Sequence, residues 1–146
     1  MVRMIRLSSF VPLIAGCIVL TGCESDHISG TSSGRGSLDQ QAQCASQADK
    51  VAMQREKDSG YAATEKLNHF NPNSKVCAVS IDTLIPGGSG NLTHQIVVMD
   101  AFERRQLGFF SRGAGKPDCY VTTPSGEDKK CDTEDDFAKL IKVYMK

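Results

Sequence analysis

The sequence contains no tryptophan, and aromatic residues make up only 6% of it, so it offers few of the rings that carbohydrate-binding grooves use for stacking. Lys and Arg number 17 and Asp and Glu number 17, which leaves no net charge to attract nucleic acid or an acidic lipid surface. Cys-x-x-Cys and His-x-x-x-His pairs, the spacings typical of redox thiols and zinc sites, are also absent. We therefore expect no metal, no other cofactor and no nucleic-acid partner.

The first 22 residues follow the pattern of a secretory signal. Arg3 and Arg6 give a basic start, and a mainly apolar stretch from Leu7 to Leu20 follows them. This stretch is shorter than the ~20 residues that a membrane-spanning helix needs. A cleaved signal is therefore favoured over the alternative, an uncleaved membrane anchor.

The segment ends in Leu20-Thr21-Gly22-Cys23, which resembles the lipobox of bacterial prolipoproteins. In that family the cysteine is acylated and becomes the N-terminus of the mature protein. The resemblance implies a lipid anchor on Cys23 and a place on an envelope membrane. Since the residue after the cysteine is Glu24 rather than Asp, the outer membrane, facing the periplasm, is favoured over the inner membrane, and the cell surface stays open.

A second match to the lipobox, Ile14-Ala15-Gly16-Cys17, lies inside the apolar stretch. Processing there would leave the apolar residues 18–20 on the mature chain. The sequence turns polar directly after Cys23, which favours Cys23 as the lipidated residue.

The rest of the chain divides into a linker and a domain. Residues 23–37 hold the lipidated cysteine and a Ser- and Gly-rich stretch that predicts a flexible tether. Residues 38–146 suffice for a single domain with a modest core.

Helical and strand patterns alternate along this domain. Small apolar residues recur at helical spacing between Leu38 and Lys57, and a second helix, capped by Thr133, carries an apolar stripe from Phe137 to Met145. Between them lie strand patterns at residues 67–70, 75–84, 92–102, 107–111 and 119–123. This order predicts an α+β domain, with an antiparallel sheet of three to five strands and both helices packed on one of its faces.

Four cysteines remain in the domain, and an even set in an exported chain predicts two disulfides. Cys119 and Cys131 lie symmetrically about Ser125, in the middle of a predicted turn, so we expect them to pair across a hairpin or its extension. Cys44, on the first helix, is then left to pair with Cys77, on the following strand.

No catalytic motif is evident. We interpret His69 and His94 as strand residues on a polar face, and a catalytic role would need one of them to converge with a carboxylate in a cleft. The glycine-rich stretches at 87–91 and 113–116 lack the spacing of a nucleophile elbow and of a phosphate-binding loop.

Two other features allow for a protein partner. Phe109 and Phe110 point to opposite faces of a strand, so one belongs to the core and the other to a contact patch or to a second apolar layer. Four cations form either a basic edge for a partner or solvated strand ends: Arg104, Arg105, Arg112 and Lys116.

These features together predict a membrane-anchored lipoprotein. Its domain is expected to be a non-enzymatic binding module for an unknown envelope protein, of inhibitor, immunity or assembly type. The alternative is a periplasmic hydrolase with an unrecognised active site.

Overall fold

The computed structural model describes residues 33–146, with side chains from Leu38 onward except that of Ser89. The predicted signal, Cys17, Cys23 and residues 24–32 lie outside the described residues. Within the described range, no helix combines the length and the apolar character that crossing a membrane requires.

Along the chain, one helix precedes the strands and another follows them. The elements are α1 (Ser33–Ser59), β1 (Glu65–Asn71), β2 (Val76–Pro86), a 3₁₀ turn (Gly88–Gly90), β3 (Leu92–Asp100), β4 (Arg105–Arg112), β5 (Asp118–Thr122), β6 (Asp128–Lys130) and α2 (Glu134–Ile141). All strands belong to one sheet in the order β1 to β6, and each pairs antiparallel with the next. The predicted α+β class is confirmed.

The sheet has six strands instead of the three to five expected. The additional strand, β6, pairs Tyr120 with Lys130 and Thr122 with Asp128. Its three residues, Asp-Lys-Lys, are all exposed and none is apolar. A strand of this kind is held by backbone hydrogen bonds to β5 and leaves no hydrophobic pattern in the sequence.

The prediction that both helices pack on one face is wrong, because the two helices lie on opposite faces. Cys77, Val79 and Ile81 of β2 join the core beneath α1, whereas Val76 and Ala78 join the core beneath α2. Successive strand residues point to opposite faces. A run of consecutive apolar residues therefore requires cover on both sides, and this run is the feature that the one-face prediction overlooked.

Both predicted disulfides are present, and each fastens one face. Cys44 of α1 is bonded to Cys77 of β2, with Cα atoms 5.4 Å apart, inside the core beneath α1. Cys119 of β5 is bonded to Cys131, just before α2, with Cα atoms 5.1 Å apart, inside the core beneath α2. The predicted pairing is confirmed.

The first helix begins at Ser33, inside the stretch predicted to be a tether, and ends close to the predicted position. The Ser- and Gly-rich start carries no amphipathic repeat that would have marked it as helical. Gly60 follows the helix with φ of +75°, and its N–H donates to the carbonyl of Glu56 at 2.8 Å. Glycine adopts this left-handed conformation without a Cβ clash, so it ends the helix.

The second helix begins as predicted. Thr133 caps it, and the Thr133 hydroxyl accepts a hydrogen bond from the N–H of Asp136 at 3.1 Å. Phe137 and Tyr144 are fully buried against β4 and β5. The Tyr144 hydroxyl donates to the carbonyl of Thr122 at 2.6 Å, and burial raises the pKa of this hydroxyl.

Candidate binding face

His94 on β3 converges with two carboxylates, as the hydrolase alternative requires. Its Nε2 lies 2.9 and 2.8 Å from the two carboxylate oxygens of Asp82 on β2, and its Nδ1 lies 3.5 Å from Glu134 at the start of α2. A shallow groove of about 190 Å³, lined in part by Asp82 and Glu134, adjoins the cluster.

A side-chain nucleophile is not joined to this cluster in the described part of the chain. Among the side chains described, those of residues 38–146 without Ser89, no serine, threonine or cysteine is hydrogen-bonded to either ring nitrogen of His94. The nearby Thr64 hydroxyl donates instead to Asp82 at 3.2 Å. Because both ring nitrogens face carboxylates, the histidine ties α2 to the sheet.

His69, the other histidine considered for a catalytic role, lies on β1. In the described part of the chain it makes no ion pair with a carboxylate, and its Nε2 is buried without a hydrogen-bond partner. Over the same residues, no group of three or more His, Cys, Asp or Glu is arranged to hold a metal ion.

The four cations considered as a basic edge do not form one. Arg104 and Arg105 lie at the start of β4, whereas Arg112 and Lys116 lie at or beyond its end. Arg105 Nε is 3.2 Å from Glu103, and Lys116 Nζ is 3.3 Å from Asp132. The alternative interpretation, solvated strand ends, describes these exposed side chains, and Arg104 also lines a cleft beside α1.

The α1 side of the sheet is covered over only part of its width. Helix α1 packs on β1 and β2, and within residues 33–146 no other element covers β3 to β6 on that side. Phe109 on β4 is paired with Val97 on β3, which is paired with Ile81 in the core beneath α1. Directly opposed residues share a face, so the half-buried Phe109 lies on the α1 side, beyond the edge of the helix.

We call this uncovered surface of β3 to β6 the open face. Its central side chains are partly exposed and include Met99, Gln106, Phe109 and Tyr120. The neighbouring Phe110 is fully buried on the other side of the sheet. Of the two outcomes expected for the Phe109–Phe110 pair, one ring is indeed core, and no second apolar layer formed by residues 33–146 covers the other.

Tyr120 is the best-fixed residue of the open face. Its hydroxyl accepts a hydrogen bond from Gln106 Nε2 at 2.7 Å, its ring lies 6.0 Å from that of Phe109, and Lys130 Nζ is 5.8 Å from the ring centroid. Aromatic rings held in place before binding lose little entropy on contact, so they suit an interface anchor. The sequence carried a signal for it, because Tyr120 alternates with Cys119 and Val121 and must point away from them.

A cleft of about 490 Å³ separates α1 from the open face. It is lined by Lys50, Val51, Gln54, Arg55, Asp58, Ser59, Met99 and Arg104. Arg55 reaches from α1 across to β3, where its Nη2 donates to Gln95 Oε1 at 2.9 Å. Burial lowers the pKa of the Arg55 guanidinium, although arginine stays protonated at any physiological pH.

Arg104 enters the cleft from the turn between β3 and β4 in an unusual backbone conformation. Its φ is +56°, in the left-handed region, which costs a residue with a Cβ roughly 1–2 kcal/mol. Glycine or asparagine is the ordinary choice for such a position. Strain of this kind is frequent at functional sites.

Comparison with known proteins gives no guide to the function of this arrangement. A scan against protein-family models finds no match, and searches of curated proteins and of solved structures find none either. Function must therefore be inferred from the residues themselves.

Proposed function

We propose that this chain is a lipid-anchored, non-enzymatic binding module of the bacterial cell envelope, of inhibitor, immunity or assembly type. The lipobox pattern at residues 20–23 supports the anchor on Cys23 and a place on the outer membrane. The disulfides Cys44–Cys77 and Cys119–Cys131 agree with an oxidising compartment outside the cytoplasm.

The open face carries the binding part of the proposal. It presents Phe109 and Tyr120 side by side in the middle of a sheet, fixed by their neighbours and left uncovered by residues 33–146. Partly exposed aromatic side chains at the centre of a surface, with amides and charges around them, are typical of protein interfaces. We therefore place the partner, an envelope protein, on this surface.

A photoreactive phenylalanine analogue at position 109 of the full chain tests this placement in intact envelopes. We expect a covalent adduct with one discrete protein. The matched control carries the analogue at Leu67, which is 53% exposed on the opposite side of the sheet. The absence of protein adducts from position 109, or equal adducts from both positions, would contradict the proposal.

The anchor is tested separately. Metabolic labelling with a palmitate analogue should mark the unaltered chain and the Cys17→Ser variant but not Cys23→Ser. Labelling that depends on Cys17 would move the processing site and shorten the signal.

The second candidate is a periplasmic hydrolase, and the contact between His94 and Asp82 beside a groove favours it. On this alternative, His94→Gln abolishes an activity against an envelope substrate and leaves the adduct from position 109 intact. On the binding proposal, the same variant leaves partner binding unchanged and lowers only stability, because His94 joins Asp82 to Glu134.

A further inference from the structure

The cleft beside the open face collects positive charge. Lys50, Arg55 and Arg104 line it, and within residues 33–146 none of them has a carboxylate oxygen within 4.0 Å. Asp58 supplies the carboxylate among the lining residues, and it accepts a hydrogen bond from Gln54 Nε2 at 2.6 Å. The cleft therefore keeps an excess of positive charge.

Of the three cations in the cleft, Arg55 should attract an anion most strongly. It is half-buried, and its observed partner, Gln95, is a neutral amide. A partly desolvated charge without a counter-charge is unfavourable by itself and attracts an anion more strongly than a fully hydrated one does. The planar guanidinium has five N–H donors and can engage a carboxylate with two of them.

Arg104 brings a second guanidinium to the same opening from the other wall. Its left-handed backbone conformation would be relieved by glycine, yet an arginine occupies the position. The stability of the fold and the charge of the cleft are therefore affected in opposite directions by Arg104. Its backbone disfavours folding, while its side chain adds charge to the cleft.

We propose that the cleft binds an acidic side chain, Asp or Glu, in the segment of the partner protein that lies on the open face. This inference rests on the proposed function and names the chemistry of its partner. Val51 and Met99 provide apolar wall beside the cations, so the bound segment carries an apolar residue next to its acid.

The distribution of charge favours a protein segment over a phospholipid surface or another polyanion. Asp58 lies in the cleft, and Asp118 and Asp128 belong to the α1 side of β5 and β6. These carboxylates repel an extended anionic surface. A single acid flanked by neutral residues meets only Asp58 beside the three cations of the cleft and stays clear of Asp118 and Asp128. The chain as a whole is also neutral.

The test uses the full chain in a nonionic detergent and a short peptide in which a single Glu is flanked by Leu, Tyr and other neutral residues. A matched peptide carries Gln in place of the Glu. We expect the acidic peptide to shift the amide resonances of residues 50–59 and 99–104, and to bind about tenfold or more tightly than its amide counterpart at low salt.

Three variants relate that binding to the cleft. Arg55→Gln should weaken binding of the acidic peptide about tenfold and leave the amide peptide unaffected. Arg104→Gly should also weaken binding of the acidic peptide, yet it should raise the thermal unfolding midpoint because it relieves the left-handed backbone. A purely structural role of Arg104 would not combine weaker binding with higher stability. The control, Lys142→Gln together with Lys146→Gln, removes charge at the other helix and should change neither affinity.

Two results would overturn the inference. If a soluble short-chain phosphatidylglycerol displaces the acidic peptide at equal concentration, the ligand is a lipid headgroup and no protein carboxylate need be invoked. If both peptides bind equally, the cations contribute nothing. In that case an adduct from position 109 would still support the proposed binding function, whereas the absence of an adduct would contradict both the binding function and the acid-binding cleft.

Discussion

The two faces of the sheet are closed by helices of opposite character. Helix α2 is short, and together with the turn that follows it fills its side with large rings, since Phe137 in the helix and Tyr144 in the turn are both at most 2% exposed. Helix α1 is more than three times as long and contacts the sheet through small residues, chiefly Cys44, Ala48 and Ala52. The side with the shorter helix holds the larger core.

This difference shows why only one face is free to bind. A ring such as Phe137 reaches across β4 and β5, and Phe110 packs 5.9 Å from it, so the α2 side is filled there. Alanine side chains bring α1 close to β1 and β2 but extend little beyond the helix. On the α1 side of the sheet, Phe109 of β4 and Tyr120 of β5 lie beyond the edge of the helix and therefore stay partly exposed.

Truncating a core side chain should affect stability more on the α2 side than on the α1 side. Phe137→Ala should lower the free energy of unfolding by about 3–5 kcal/mol, because it empties the centre of the α2 side. Val51→Ala, on the α1 side, should cost only about 1–2 kcal/mol, since it removes two methyl groups from a thin layer. Urea unfolding with the disulfides intact measures both. Equal losses would show that the two faces are built alike.

The next prediction compares the two disulfides. Cys44–Cys77 closes 33 residues and Cys119–Cys131 closes 12. On the chain-entropy account, replacing each pair by alanines should cost about 4 and about 3 kcal/mol. Hydrogen exchange should locate the loss, with faster exchange in α1 for the first variant and near α2 for the second. Faster exchange in both helices from either variant would mean that the two sides unfold as one unit.

Much of this architecture follows from the sequence, because its signals are local. The cap at Thr133, the apolar stripe that begins at Phe137 and the symmetry of Cys119 and Cys131 about a turn each involve a few neighbouring residues. They predict the start of the second helix and the Cys119–Cys131 pair, and elimination then gives Cys44–Cys77. The helix itself ends at Ile141, before the last residues of the predicted stripe. Strand β6 was not predicted because it consists of three charged residues. The placement of the helices was not predicted because a strand pattern indicates which residues are buried but not which helix covers them.

The candidate site was only partly predictable for the same reason. The sequence predicts that one ring of the Phe109–Phe110 pair points away from the core, because adjacent strand residues face opposite sides, but it does not identify which one. The cleft lies between α1 and the β3–β4 turn, so Arg55 and Arg104 line one cleft although about 50 residues separate them in sequence. Such an arrangement depends on tertiary packing and leaves no motif. His94 likewise meets Asp82 and Glu134 through strand pairing and helix docking.

A smaller effect tests how tightly the α2 side is filled. A Cβ on Gly108 would lie 3.1 Å from Cε2 of Phe137 and 3.4 Å from the carbonyl of Tyr120. Gly108→Ala should therefore destabilise by about 1–3 kcal/mol through overpacking. Gly115→Ala is the matched control, because its Cβ would meet nothing within 4 Å, and its stability should stay unchanged or rise slightly. A neutral Gly108→Ala would show that Phe137 has room to move.

The smallest effect concerns the start of α2, where the pKa of Asp136 is held below its usual range. The Thr133 hydroxyl, which donates to this carboxylate at 2.7 Å, lowers it most, and Lys139 at 3.3 Å adds to it. A carboxyl group whose pKa is lower in the folded chain than in the unfolded one stabilises the fold above the unfolded value, about 3.9. That contribution is lost as the pH falls through the folded value.

Asp136→Asn should accordingly lower the urea midpoint at neutral pH, and its difference from the unaltered chain should shrink as the solution is acidified below about pH 4. Asp135→Asn changes the net charge equally in the same helical turn, but within residues 33–146 no side-chain hydrogen bond of Asp135 is lost with it. It should therefore show a smaller loss at neutral pH, confined to the interaction with the helix dipole. If the two variants behave alike at every pH, the dipole alone accounts for the acidic turn, and the hydrogen bond from Thr133 adds nothing to the way α2 is fixed on its side of the sheet.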